Sequence, residues 1–331
     1  MKVWGHIAAC LKSSGACALV TVAETGGSTP RETGARMVVR PDGAFYGTIG
    51  GGTLEFEVIS KAAKAASAGT PGFDLMTVSL GPDLGQCCGG RAKVAVEVFG
   101  SAQLGEAEHL AVEELKSGSF FTEAVVDGGI VGSRIITRRS VETRFDLGHP
   151  EMGGRQRLTE QFGETRRPLY LFGAGHVGKA LVLALAPLPF AVHWIDSRAD
   201  QFPGAVPANV TKICVKDPGS VLESAPAGAF VLAMTHSHGL DEDIMARALL
   251  AQRFDYCGVI GSRTKRIRFL RRLKSRGLNE GLVSTMVCPV GMTGIKSKHP
   301  AAIAAGIAVD LLARDEASYQ QAAASGRLAH Q

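Results

Sequence analysis

The chain of 331 residues has no Cys-x-x-Cys pair, no long apolar run and no even set of cysteines, and each absence removes a class of protein. Without Cys-x-x-Cys, a structural zinc site of ordinary spacing is excluded. No apolar stretch reaches the roughly 18 residues that a membrane-crossing helix needs. The opening stretch MKVWGHIAACLKSSG has one early lysine and no continuous apolar core, unlike a secretory signal. The cysteines Cys10, Cys17, Cys87, Cys88, Cys214, Cys257 and Cys288 are odd in number and scattered, which suits reduced thiols rather than a disulfide framework. These readings point to a cytoplasmic protein with no membrane partner. A net charge of +5 admits an anionic ligand or an acidic partner but does not imply nucleic acid. No internal repeat is visible.

Hydrophobic residues make up 45% of the chain, ample for two buried cores. In the first half, ACALVTVA (16–23) is a β-branched run of strand type, and MVVR-PDG-AFYG (37–47) reads as a hairpin turning at Asp42-Gly43. Strands are expected at 74–80, 92–99, 120–126 and 133–138, with helices at about 52–67 and 103–117. Residues 141–167 lose periodicity and gain charge and glycine, which predicts a linker. The second half alternates strand and helix from 168 to about 314, the pattern of a doubly wound parallel sheet. The fold class expected is α/β: an N-terminal α+β domain (1–140), then a C-terminal Rossmann-like domain (168–314) and a flexible tail (315–331).

Gly173-Ala174-Gly175-His176-Val177-Gly178 matches GxGxxG, follows the strand-like LYLF and opens a helix. Gly173 permits a tight turn, Gly175 lets backbone approach a phosphate, and Gly178 lets the helix pack close to the sheet. The helix start offers free N–H groups to an anion. Asp196, at the end of the next strand, stands where an acid would accept a hydrogen bond from a ribose hydroxyl. The same glycines also serve plain packing, and His176 is bulky for its place in a dehydrogenase turn. Two further strand ends carry polar residues. Thr235-His236-Ser237-His238 could supply metal ligands or simply satisfy a helix start, and the second use is favoured. Ser262 is an N-cap candidate, and with Arg263 it could hold a second anion. The helix from 262 to 276 is densely basic.

Three glycine-rich loops punctuate the first half: GGSTPRETGAR, TIGGGTLE and GQCCGGR. Arg31 and Arg36 in the first suit a phosphate. Gly50, Gly51 and Gly52 in the second precede a helix, another anion-binding start. The third places Cys87 and Cys88 close to Arg91, a cation that would favour thiolate. One or both thiols could equally be small hydrophobes at the base of a turn.

These loops, followed by FGAGHVGKAL, DSRADQFP, THSHGLDED, YCGVIGSRTKR and CPVGM, resemble the XdhC/CoxI family, the xanthine dehydrogenase accessory proteins. The resemblance runs from about residue 15 to about 312. It implies a chaperone that binds molybdenum cofactor (molybdopterin), holds it while a cysteine desulfurase supplies its terminal sulfur, and delivers it to apo xanthine dehydrogenase. It also implies contact with molybdenum-cofactor biosynthesis proteins and a homodimer. On this reading Cys87 and Cys88 meet the molybdenum end or relay sulfur, since soft thiolates suit that chemistry. The cofactor phosphate then falls to Gly173–Gly178, to Gly50–Gly52 or to Arg31–Arg36, with the ligand expected between the domains. A separate nucleotide at the Rossmann turn stays open, as do an NAD(P)-dependent oxidoreductase and a nucleotide-sensing module.

Overall fold

The computed structural model describes residues 2–79, 90–116, 118–137, 144–151 and 153–324. It divides into two compact units, Met1–Thr165 and Arg166–Gln331.

Unit 1 begins with α1 (Val3–Ser14) and β1 (Ala16–Gly26), then β2 (Arg36–Val39), β3 (Phe45–Gly47), α2 (Gly52–Ala68), β4 (Gly72–Ser79) and β5 (Arg91–Gly100). α3 (Leu104–Lys116), β6 (Ser119–Asp127), β7 (Ile130–Val131), β8 (Ile135–Thr137), β9 (Phe145–Leu147) and β10 (Gln156–Gly163) complete it. One antiparallel sheet has the order β3-β2-β1-β5-β4; a second has β7-β6-β10-β9, with β8 also paired to β6. Side chains alternate along β1, so Ala18, Val20 and Val22 pack with Leu54, Val58 and Ala62 of α2. Cys17 and Leu19 face the other way, into a core with Trp4, Ile7 and Leu11 of α1 and Leu110 of α3. Burial on both faces explains why β1 reads as one apolar run. The buried stripe Trp4-Ile7-Leu11 also builds α1, a helix beyond those expected from the sequence.

Unit 2 is β11 (Arg167–Phe172), α4 (His176–Ala184), β12 (Phe190–Asp196), β13 (Val210–Cys214), β14 (Phe230–Ala233), α5 (His238–Ala251), β15 (Tyr256–Val259), α6 (Arg263–Ser275), α7 (Glu280–Ser284) and α8 (Pro300–Ala324). Its strands are all parallel, in the order β13-β12-β11-β14-β15. That is the expected Rossmann-like sheet. The order reverses between β11 and β14, the switch point where such sheets collect ligands beyond their strand ends. One face packs on α5 and α6 through residues such as Phe172, Ile244 and Phe269. The other packs on α4 and α8 through Leu171, Leu181 and Ile307.

Two expectations change. The segment 141–167 is not a plain linker, because β9 and β10 lie within it and β10 pairs along its whole length with β6. Its charge misled because Glu160 is a buried strand residue. The segment expected to be a flexible tail from 315 begins as helix, since α8 runs to Ala324.

Candidate functional site

In unit 1 the strand registers bring two of the glycine-rich loops, and Gly90 of the third, to one end of the first sheet. β1 ends at Gly26 opposite Arg91, and β2 starts at Arg36 opposite Thr21. β3 ends at Gly47 opposite Met37, and β4 ends at Ser79 opposite Arg91. Loop 27–35 and loop 48–51 therefore leave the sheet at that end, where Ser79 and Gly90 also lie. A Cβ on Gly90 would sit 2.2 Å from the Ser28 carbonyl oxygen, and one on Gly50 would sit 2.5 Å from Pro30 Cγ. The first loop thus lies against the second loop and against Gly90 of the third. Cys87 and Cys88 lie outside the described residues.

Charges at this end are largely spoken for. Glu55 Oε2 accepts hydrogen bonds from the Ile49 N–H at 2.9 Å, the Gly51 N–H at 3.2 Å and Thr48 Oγ1 at 2.6 Å. Burial works to raise the Glu55 pKa, but these donors outweigh it and hold the carboxyl below its ordinary value. The anion expected at Gly50, Gly51 and Gly52 is therefore the chain's own. Arg31 forms a two-pronged pair with its neighbour Glu32, both contacts at 3.1 Å.

Arg36 corrects the sequence reading. It is 9% exposed and points inward, donating to the Gln161 carbonyl at 2.6 Å and to Glu160 at 3.3 Å, with its guanidinium over Phe162. Arg134 binds Glu97 and Glu160 in the same buried network. A phosphate at the surface does not meet Arg36.

In unit 2 the GxGxxG turn has the expected form. Gly173 adopts φ +113°, and a Cβ there would lie 2.4 Å from the Met234 carbonyl oxygen. A Cβ on Gly178 would lie 2.2 Å from the Gly173 carbonyl oxygen, so only glycine lets α4 rise this close to the turn. The Trp194 indole N–H donates to the same carbonyl at 3.0 Å, a brace that the motif alone does not reveal. Gly175 is the opposite case, with open space where a Cβ would stand. The first turn of α4 carries no acid, and His176 is exposed there.

Asp196 does something other than wait for a ribose. Its oxygens accept from the Ala174 N–H at 2.8 Å, from the Arg198 N–H at 3.0 Å and from the Arg198 guanidinium in two contacts of 3.0 Å. Burial pushes its pKa up, but the Arg198 guanidinium and the two N–H groups outweigh that and hold it low. Asp196 fastens the turn to β12.

At the ends of β14 and β15, Asp241 joins both loops. Fully buried, it accepts from the Thr235 N–H at 2.9 Å, Thr235 Oγ1 at 2.8 Å and Lys265 Nζ at 3.0 Å. Lys265 also donates to the Ile260 carbonyl at 2.9 Å. The sequence signalled this network only as acids and bases near helix starts. Ser237 and Ser262 cap α5 and α6 by accepting from the N–H groups of Leu240 and Lys265. His236, His238 and Arg263 are exposed. Among the described residues, no group of three or more metal-ligating side chains occurs. Burial pushes the Cys257 thiol up to about 12 and raises Cys288 as well, so both are packing residues. No helix among the described residues is long and apolar enough to cross a membrane.

Comparison with known proteins agrees with this architecture. The model of the XdhC Rossmann domain matches residues 169–311, and that of the XdhC and CoxI family matches residues 10–79. Over 300 residues the chain is 25% identical to YqeB of Escherichia coli (strain K12), an uncharacterized protein. That match takes in 89% of this chain and 43% of YqeB, so the chain spans less than half of that relative's length. A crystal structure of a Bacillus halodurans protein, described as a xanthine dehydrogenase, shares the fold with a TM-score of 0.74 and 23% identity over 96% of each chain. The two matched segments include two of the three glycine-rich loops of unit 1 and, but for the first two residues of β11, the parallel sheet of unit 2, and the chain belongs to the XdhC and CoxI family.

Proposed function

We propose that the chain is a maturation factor for xanthine dehydrogenase, holding molybdenum cofactor for sulfuration by a cysteine desulfurase and passing it to the apoenzyme. Family membership supports the maturation role. The observation that carries a cofactor-binding reading is the contrast between glycine-rich helix starts. At α2 the N–H groups are taken by Glu55, whereas α4 has no acid in its first turn and open space at Gly175. A phosphate therefore fits the Gly173–Gly178 turn, where the helix start favours negative charge. It does not fit the Gly50–Gly52 loop while Glu55 is there.

In this reading the backbone of Gly175 and the following residues binds the phosphate, and Asp196 keeps the turn in shape through the Ala174 N–H. Asp241 and Lys265 hold the neighbouring loops rigid. Cys87 and Cys88 are assigned to the sulfur end, as soft ligands or relay nucleophiles. The cofactor, when bound, supplies the molybdenum and dithiolene chemistry that the client enzyme later uses.

Purification from a molybdate-replete host tests the proposal. Pterin fluorescence after oxidative release, together with molybdenum by elemental analysis, is the expected result. Failure to retain pterin or molybdenum, even when cofactor is offered anaerobically to the reduced protein, would refute it. Substituting Cys87→Ser and Cys88→Ser together should lower client maturation without changing the melting temperature. A second reading, a nucleotide-sensing module, is favoured by the strand order β13-β12-β11-β14-β15 around the turn. Calorimetric titration with NAD, NADP and ATP distinguishes it.

A further inference from the structure

Helix α6 carries no acidic residue, and the segment 263–276 holds Arg263, Lys265, Arg266, Arg268, Arg271, Arg272, Lys274 and Arg276. These cations fall into two sets. Those turned toward the rest of unit 2 have carboxylate partners: Lys265 with Asp241, Arg272 with Glu242, and Arg276 with Asp243. Lys274 reaches Glu280. Arg263, Arg266, Arg268 and Arg271 are exposed and have no carboxylate partner among the described residues. Ile267 lies among them and is 53% exposed. It is one helical turn from Arg263 and from Arg271.

The helix gains nothing from this outer set. Arg263 sits in the first turn, at the positive end of the helix dipole. Arg268 and Arg271 are like charges three residues apart, a spacing that weakens a helix. The fold is already anchored by Phe269 and Leu273 on the inner face. An apolar residue ringed by arginines is a pattern of protein interfaces, where Arg is enriched and a small apolar centre is shielded from water. A membrane surface would call for a broad apolar face, and here the larger apolar residues are turned inward.

We propose that the outer face of α6, centred on Ile267, Arg268 and Arg271, docks an acidic protein surface. The identity of that partner, the apo xanthine dehydrogenase, rests on the maturation reading above. Complementary charge would speed encounter and set orientation, and Ile267 would be covered in the complex.

The test measures association of the full chain with purified apo xanthine dehydrogenase from the same organism, at low and high salt. Wild-type protein should bind, with an association rate that falls as salt rises. Arg268→Glu with Arg271→Glu should slow association by about 10-fold or more at low salt. Arg268→Lys with Arg271→Lys should keep most of the rate. Both variants should melt no lower than wild type and retain cofactor equally. If wild type binds and the double reversal changes neither rate nor salt dependence, the docking face is wrong. If wild type retains cofactor but does not bind the enzyme, the docking proposal fails and the maturation reading loses only its client. If it retains no cofactor either, the maturation reading itself fails. Tighter binding to duplex DNA, RNA or anionic vesicles than to the enzyme, lost in the double reversal, would also overturn the proposal.

Discussion

Two helix starts in this protein look alike in sequence and differ in what they can hold. At α2, three glycines lead into a helix whose fourth residue, Glu55, folds back onto the loop N–H groups. At α4, glycines lead into a helix with no acid in its first turn, and the nearby carboxylate, Asp196, grips the turn from behind. Glycine provides the backbone freedom in both places. Whether the resulting donors serve a ligand or the fold depends on where the nearest carboxylate points. A glycine-rich loop before a helix is therefore an anion site only when the chain does not fill it.

The largest effect expected from breaking this contrast is at Gly178. Gly178→Ala places a Cβ 2.2 Å from a backbone carbonyl that Trp194 also holds, so the turn cannot yield cheaply. The loss should reach or exceed the upper end of the about 1–3 kcal/mol typical of overpacking. Denaturant unfolding measures it, and an unchanged midpoint would contradict the geometry.

Next is Asp196→Ala, which strands the Ala174 N–H and should cost about 1–3 kcal/mol. It should also weaken any phosphate bound at the turn by distorting it. An unchanged affinity would show that the turn holds its shape without this carboxylate.

Glu55→Ala should cost about 0.5–2 kcal/mol, the scale of a lost helix cap. It frees the Ile49 and Gly51 N–H groups, so inorganic phosphate should raise the melting temperature of this variant more than that of wild type. Equal responses would mean that the α2 start cannot take an external anion.

The smallest effect is a pH dependence. Asp196 and Glu55 both have lowered pKa values in the folded chain. Their contribution is complete above the unfolded values, about 3.9 and 4.3, and disappears as pH falls through the lower folded values. Melting temperatures below about pH 4 should fall less steeply in Asp196→Asn than in wild type.

Some of this was legible before the fold was known. The parallel sheet could be read from alternating strands and helices, and the turn at Gly173–Gly178 from its place between them. Each rests on neighbours in sequence. Arg36 and the segment 141–167 were misread for one shared reason. Arg36 looked like a phosphate ligand in a glycine-rich loop, and Glu160 made its surroundings look like a charged linker. They are partners, 124 residues apart, inside one buried network with Arg134 and Glu97. A charge inside a protein is tolerated when an opposite charge meets it there.

Local pattern thus determined where strands, helices and turns would form, because periodicity and glycine act over a few residues. Only the tertiary structure decided which charges are structural and which stay available. That choice depends on partners the chain delivers from a distance: Glu160 to Arg36, Asp241 to Lys265, and no carboxylate at all to Arg268 and Arg271 among the described residues.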